Sequence, residues 1–501
     1  MRVTRRLALG IVAALSSASL DGLTRAALAD EPVAAHEASL MSETAEITSV
    51  VDAFDKDDPF DLNLVFGINQ SFKRAKIRRE SQLPQPGLEG VSGQQAGFVP
   101  ATENIASYQS SMTTLNLGAD IGIYHDLALT LRLPVILTWS QSLGDLDGSS
   151  AVAAQRLADP SGGQLFSVPF TSPTRSGIDY FSFGLDWAIF NQQRDQTKPT
   201  WVVGVEGRVA VGTPLHACNA NPVNGAPECA DPSTWNASTQ SYPSGVAGRS
   251  PGISKGYDSI LARTVWSRRF GYIEPYSGFW MQADFPTAGS DFGKWNPVQN
   301  LDRSPPLQGS FALGMEVVPW EHREQFQRFS ADFRFKGTYH SPGRDYSELF
   351  DALGSSQAVS LRNPNPTAYC AGGSSATCVG PPGSSVQDTS SAGAYFTGIT
   401  EVAAYGSFTA SAAATAQAGQ YIKFTLGAGF TYAQSHLITA ADVCTPNGNT
   451  SLALAGPCET NGQAQGVPNP DHRDLIDLPG HRFSVDDTTV VDLYANVIVM
   501  F

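Results

Sequence analysis

The sequence predicts an all-β fold: a transmembrane antiparallel β-barrel of about 12 strands, with short periplasmic turns and long extracellular loops. Apolar residues recur at period two along about 12 segments, the last of which runs from Val491 to Phe501. Long and short connections alternate between these segments, and this alternation is not expected of a soluble β-sandwich. Beyond the amino-terminal region, no stretch holds the roughly 18 to 20 continuous apolar residues that a membrane helix needs.

The amino terminus predicts secretion. An arginine-containing start precedes an apolar run from Leu7 to Leu20, and the small residues Ala27 to Ala29 form an expected cleavage site. We therefore expect residues 1–29 to be a signal peptide, residues 30–59 to be an acidic periplasmic segment, and residues 60–501 to be the barrel.

The predicted strands follow one another from Phe60 to the carboxyl terminus. They lie at residues 60–69, 115–124, 127–139, 183–189, 201–211, 260–266, 273–283, 311–317, 329–339, 402–412, 422–432 and 491–501. In the first, Leu62 and Leu64 alternate with Asp61 and Asn63, as lipid-facing and lumen-facing residues do in a barrel. Two strands carry a competing signal, because Pro275 cannot donate to a ladder and the alanines of 402–412 would also suit a helix.

Six long connections fall on one side of this arrangement, at roughly residues 75–110, 141–177, 213–257, 286–307, 340–397 and 434–487. Two cysteines lie in each of three of these loops: Cys218, Cys229, Cys370, Cys378, Cys444 and Cys458. Local pairing within each loop predicts three disulfides. In the loop at 340–397, an apolar stripe over 345–353 predicts a short helix that either constricts the lumen or packs against other loops.

Charged residues of both signs occupy inward positions of the predicted strands and form the candidate lumen lining. They are Asp61, Asp120, Arg132, Asp186, Glu206, Arg208, Arg263, Glu316, Asp332, Arg334, Lys336 and Lys423. One interpretation is a water-filled path whose charged wall selects solutes. The other is a set of ion pairs that cross-link a lumen too narrow to admit anything. About 12 strands give a width between that of a filled eight-stranded barrel and that of an open porin, so both interpretations stand.

The chain also resembles known families. Gly177 to Trp187, followed by a valine-rich strand that ends at Gly212 to Pro214, is similar to outer-membrane channels associated with phenol-degradation meta-pathways, over about residues 115–215. The segments Gly343 to Phe350 and His436 to Thr439 resemble uncharacterised myxobacterial outer-membrane barrels. These likenesses imply a Gram-negative outer-membrane location and a barrel fold rather than a particular substrate.

The final strand resembles the carboxyl-terminal signal of Gram-negative outer-membrane barrels. Its lipid-facing positions Leu493, Val497, Val499 and the terminal Phe501 are the expected assembly signal. The resemblance implies the barrel assembly machinery as a partner, beside outer-membrane lipid.

The sequence does not predict an enzyme. Gly252 to Gly256 matches the nucleophile-elbow string, but no strand and helix flank it. His436 has no clear inward serine or acid as a partner. We expect no catalytic residue, no cofactor and no metal, since the cysteines lack Cys-x-x-Cys pairs.

These features predict an outer-membrane channel or transporter for the passive passage of small solutes, apolar ones among them, through a charged lumen. The alternative is a non-conducting surface barrel that acts in adhesion or envelope structure through disulfide-pinned extracellular loops. The solute is an unidentified small molecule. Nucleic acid is not an expected partner, because the net charge is -15, with 32 Lys and Arg against 47 Asp and Glu.

Overall fold

Twelve long antiparallel strands form one closed barrel in the computed structural model. The structure describes residues 45–54, 61–84, 98–148, 150–158, 164–220, 228–229, 246–247, 249–287, 289–292, 305–356, 358, 361, 367–369, 385–386, 396–442, 444–446, 459–460, 463–464, 466–468 and 471–501. Among these residues, no helix is long and apolar enough to cross a membrane.

The barrel strands are numbered in chain order. They are β1 (Leu62–Pro84), β2 (Phe98–Tyr124), β3 (Leu127–Asp145), β4 (Tyr180–Phe190), β5 (Thr200–Ala210), β6 (Tyr257–Ser267), β7 (Ile273–Pro286), β8 (Gln308–His322), β9 (Gln327–His340), β10 (Tyr405–Ala418), β11 (Ile422–Ala433) and β12 (Phe483–Met500). Each strand pairs with the next, and β12 pairs with β1 from Asn63↔Met500 to Arg79↔Phe483. This last pairing removes both sheet edges, as a membrane-spanning sheet requires.

The predicted strands are confirmed in number and order, but several were predicted too short at their extracellular ends. β1 continues to Pro84 and β2 starts at Phe98, so much of the predicted loop at 75–110 is strand. β12 begins at Phe483, inside the predicted loop at 434–487. The alanine-rich tenth segment is a strand, β10, because its neighbours β9 and β11 supply a ladder along both edges.

The outer surface of the barrel is apolar because alternate residues of every strand point away from the lumen. Phe183, Leu185 and Trp187 of β4 are exposed, as are Phe333 and Phe335 of β9. A continuous band of exposed large apolar side chains would be unstable in water and is the surface that lipid requires.

Shorter elements belong mainly to the extracellular loops. The helices are α1 (Ser150–Arg156), α2 (Phe350–Gly354) and α3 (Asp474–Asp477), and two 3-10 turns span Glu46–Thr48 and Arg323–Gln325. The short strands are Phe170–Thr171, Arg175–Ile178, Cys218–Asn219, Glu228–Cys229, Val246–Ala247, Gly343–Asp345, Thr367–Tyr369, Ser385–Val386, Thr400–Val402, His436–Leu437, Cys444–Pro446, Glu459–Thr460, Gln463–Ala464 and Gly466–Pro468.

The main apolar core lies at the extracellular end of the barrel. It joins loop residues such as Leu157, Phe166, Leu353 and Ile476 to wall residues such as Ile77. All five are at most 5% exposed. The loops therefore fold over the barrel mouth as a packed unit.

One predicted disulfide is present in the described part of the chain. Cys218 and Cys229 are joined at 2.03 Å and lie on adjacent short strands. The other two pairings stay predictions, since Cys370, Cys378 and Cys458 lie outside the described residues and the Cys444 side chain is not described.

Candidate functional site

Charged side chains on the inner wall pair with one another. Four pairs form among the predicted lumen residues: Asp120–Arg132 at 2.6 Å, Asp186–Arg263 at 2.8 Å, Glu206–Arg208 at 2.8 Å and Asp332–Arg334 at 3.3 Å. These eight side chains are 14–38% exposed, so each pair keeps contact with open space. The arrangement is a polar wall in which these eight charges neutralise one another.

The Asp186–Arg263 pair crosses over β5, which lies between β4 and β6. A Cβ atom on Gly204 would come within 2.1 Å of Asp186 Oδ1 and 2.9 Å of Arg263 Nε. Glycine at this position is therefore required for the two side chains to meet.

A buried charge cluster near the periplasmic turns involves residues that sequence reasoning missed. Glu316 accepts from Arg328 at 2.6 Å and lies 3.7 Å from Arg269, which itself pairs with Glu274 at 2.9 Å. All four side chains are at most 7% exposed. Arg269 and Arg328 lie just outside the predicted strands, whereas Glu274 is an inward position of the predicted strand 273–283 and could have been found from the alternation.

The remaining three predicted lumen residues, Lys336, Lys423 and Asp61, lie in other surroundings. Lys336 lies over the Trp280 ring, with 5.8 Å between Nζ and the ring centroid. Lys423 lines a cavity beside Glu316. Asp61 lies just before β1, and its carbonyl oxygen accepts the Gly122 N–H at 2.9 Å.

The segment 45–54 runs across the periplasmic end of the lumen. The Glu46 N–H donates to Glu316 Oε2 at 3.2 Å on β8. At its other end, Ala53 and His125 exchange two backbone hydrogen bonds at 3.0 and 3.1 Å, beside β2. Since β2 and β8 are six strands apart in a ring of twelve, these contacts lie on opposite walls. The segment therefore obstructs the lumen.

A second obstruction, the lid, comprises residues 343–356 and contains α2. Its carboxylates reach three parts of the wall: Glu348 pairs with Lys73 at 2.6 Å, Asp351 with Arg175 at 2.7 Å, and Asp345 with Lys255 at 3.3 Å. Arg175 and Asp351 are 1% and 3% exposed.

The apolar side of the lid faces two groups of buried side chains. Leu349 and Leu353 join the mouth core. Phe350 packs with Leu215 and Ile399 in a second cluster. The predicted helix is shorter than expected, and the lid both packs against loops and lies across the lumen.

Between the two obstructions, the lumen holds cavities of about 260, 340 and 520 Å³, and the first two share Arg132, Asp186 and Arg263 in their lining. The first lies against the segment 45–54, and the second lies along Arg208 and Arg263. The third lies beneath the lid. Within the described part of the chain, no cluster of three or more His, Cys, Asp or Glu could hold a metal ion.

The fold and this interior define a closed transmembrane β-barrel with a charged lumen obstructed at both ends. No protein-family model matches the sequence, and no curated protein matches it. Among solved structures, the chain is similar to a FadL homologue from Pseudomonas aeruginosa, at 8% identity, over 87% of this chain and 90% of that one, with a TM-score of 0.31.

Two further similarities are to the CymD monoaromatic hydrocarbon channel and the outer membrane protease OmpT from Escherichia coli. The first has 8% identity, covers 87% of this chain and 88% of that one, and has a TM-score of 0.30. The second has 6% identity, covers 91% and 100%, and has a TM-score of 0.27. Similarity this low does not assign a function, which must come from the geometry of this chain.

Proposed function

We propose that the chain is an outer-membrane channel for small solutes and that the described structure is its closed state. The observation that carries the proposal is the succession of cavities inside the barrel, lined by partly exposed ion pairs. A barrel that served only as a scaffold could fill this interior with apolar side chains at lower cost, because buried ion pairs seldom add net stability.

A second candidate is a non-conducting surface barrel that acts through its extracellular loops. It is favoured by the packed apolar core across the mouth, which resembles a small folded domain more than a flexible gate. The two candidates predict different results when the obstructions are weakened. A channel should then conduct ions, whereas a non-conducting barrel should not.

Planar-bilayer recording distinguishes them. Deletion of residues 45–54 combined with Asp351→Asn, which removes the buried lid ion pair with Arg175, should give more channel openings than the full mature chain, because both obstructions are then weakened. A folded combined variant without channel events would favour the non-conducting barrel.

A cross-link provides a matched test that removes no residue. Thr48 Oγ1 lies 2.8 Å from Ser267 Oγ, so the double variant Thr48→Cys/Ser267→Cys can form a disulfide between the segment and β6. The oxidised variant should show fewer openings than the same protein after reduction. Wild-type protein with and without reductant controls for the native disulfide.

A further inference from the structure

The outer face of β1 changes from apolar to basic near the extracellular end of the barrel. Residues of even number face outward there, because Ala75 and Ile77 between them are buried on the inner side. The outward column contains three exposed apolar side chains followed by three cations: Phe66, Ile68, Phe72, Arg74, Lys76 and Arg78. The cations therefore begin where the lipid-facing band of this strand ends.

The apolar band ends at the same place on β12 and β11, the two strands next to β1 on that side. Phe72 lies opposite Val491 of β12, and the next outward position places Arg74 opposite Thr489. Thr489 also lies opposite Tyr432 of β11, whose ring is exposed. Tyrosines on the outer surface of a barrel mark the headgroup layer of the membrane. Arg74 therefore lies near the level of the lipid headgroups.

The three cations differ in their anionic partners. Arg78 is held by Asp486 at 3.0 Å and also donates to a backbone carbonyl of β2. Lys76 pairs with Asp487 at 2.7 Å, but these side chains are 51% and 62% exposed, and such a pair contributes only about 0–1 kcal/mol. Arg74 forms no ion pair and no side-chain hydrogen bond within the described part of the chain. One cation is therefore free, and a second can turn toward a new anion at little cost.

A free guanidinium group beside lipid favours a phosphate. Arginine binds phosphate oxygens through two parallel N–H donors, and such contacts are roughly twice as strong as neutral hydrogen bonds. Arg74 and Lys76 lie on one face of one strand, with their Cα atoms about 7 Å apart, so both long side chains can reach a single phosphate. Gln109 lies opposite Arg74 on β2, and Ser107 lies opposite Lys76. Their amide and hydroxyl groups can donate to the same phosphate oxygens.

We infer that Arg74, Lys76 and these two neighbours on β2 form a rim site that binds the phosphate group of a lipid in the extracellular leaflet. The acyl chains of that lipid would lie along the exposed apolar side chains below the rim site. A soluble anion lacks this second contact, so the rim site favours the lipid over free phosphate. The inference goes beyond the proposed function, because it concerns the outer surface and holds whether or not the lumen conducts.

Native mass spectrometry of the full mature chain in detergent tests the inference. Delipidated protein is titrated with lipid A, which carries two phosphates, and with the same lipid after enzymatic removal of both phosphates. Wild-type protein should bind one lipid A at least tenfold more tightly than the dephosphorylated form. An excess of inorganic phosphate should leave the bound lipid in place.

Substitutions of arginine locate the site. Arg74→Gln should weaken lipid A binding at least fivefold, and Arg74→Lys should weaken it less, because lysine keeps the charge but lacks the paired N–H donors. Arg268→Gln is the matched control and should leave binding unchanged, since Arg268 is an exposed arginine in the turn between β6 and β7, at the periplasmic end.

Three results would each overturn the inference. They are equal lipid A affinity in wild type and a folded Arg74→Gln variant, equal affinity of wild type for the phosphorylated and dephosphorylated lipids, and displacement of lipid A by inorganic phosphate. Because Arg74 faces outward from the barrel wall, its substitution should leave the urea unfolding midpoint unchanged, which confirms that the variant is folded.

Discussion

Asp351 should hold the lid in place more strongly than any other lid carboxylate in the described structure. It accepts two guanidinium N–H groups of Arg175, at 2.7 and 2.8 Å, and the Cys218 N–H at 2.9 Å. Asp351→Asn keeps the side-chain size but leaves the Arg175 cation buried without a counter-ion. Breaking a buried pair costs about 3–5 kcal/mol, and a loss of about 3 kcal/mol is a roughly 100-fold shift toward lid opening.

Native-state hydrogen exchange reports this shift. The Leu353 N–H donates to Leu349 O at 2.8 Å within the lid, and its exchange should accelerate about 100-fold in Asp351→Asn. Asp345→Asn is the matched control, because the Asp345–Lys255 pair is 25% and 44% exposed and such pairs contribute only about 0–1 kcal/mol. Equal protection of Leu353 in both variants and in wild type would refute the ion-pair account of the lid.

Three further outcomes are expected. Gly204→Ala should separate the Asp186 pair and lower the free energy of unfolding by about 1–3 kcal/mol in urea titrations, whereas Gly309→Ala, with open space around it, should change it little. Burial raises the pKa of Asp477 to about 6, so the loop unit should be most protected below about pH 4 and lose protection as pH rises through 6. Limited proteolysis should show that Asp477→Asn removes this dependence. Deletion of Phe501 should reduce assembled barrel in outer-membrane fractions, and normal assembly would contradict its proposed role as a signal.

The barrel could be predicted from sequence because strand alternation is a local property. Every strand with one face in lipid and one in the lumen repeats the same pattern, and the register follows from it. The polarity of the inner wall could also be predicted from sequence, but the ion-pair partners could not. Asp186 and Arg263 are 77 positions apart and meet only because Gly204 lies between them.

The contacts that hold the two obstructions could not be predicted, because they join distant parts of the chain without a repeating pattern. Residues 45–54 resemble any acidic segment, and the Glu46–Glu316 contact spans 270 positions. The apolar stripe in the sequence predicted the lid helix, but the side chains that the helix contacts come from several loops and strands. Its position between a loop core and a cavity is therefore a property of the assembled barrel.

The chemistry of the two obstructions implies an order of opening. The periplasmic segment is held by a few hydrogen bonds, such as those between Ala53 and His125, each of which contributes only about 1 kcal/mol net. The exposed Asp52–Arg194 pair at 3.8 Å adds about 0–1 kcal/mol, and the Phe54 ring, which contacts Tyr124, is itself 56% exposed. Displacing the mouth core would expose buried apolar side chains, including Leu353 and Phe483, at about 1.5–3 kcal/mol each.

The periplasmic end should therefore open first and more often. Hydrogen exchange should find the Ala53 amide less protected than the Ile438 amide, which donates to Phe483 O at 2.9 Å within the mouth core. The reverse order would show that the segment 45–54 is the more stable closure. Under the proposed channel function, a solute in the cavity beneath the lid would then exchange with the periplasmic side more often than with the extracellular side, while its concentration gradient sets the direction of net passage.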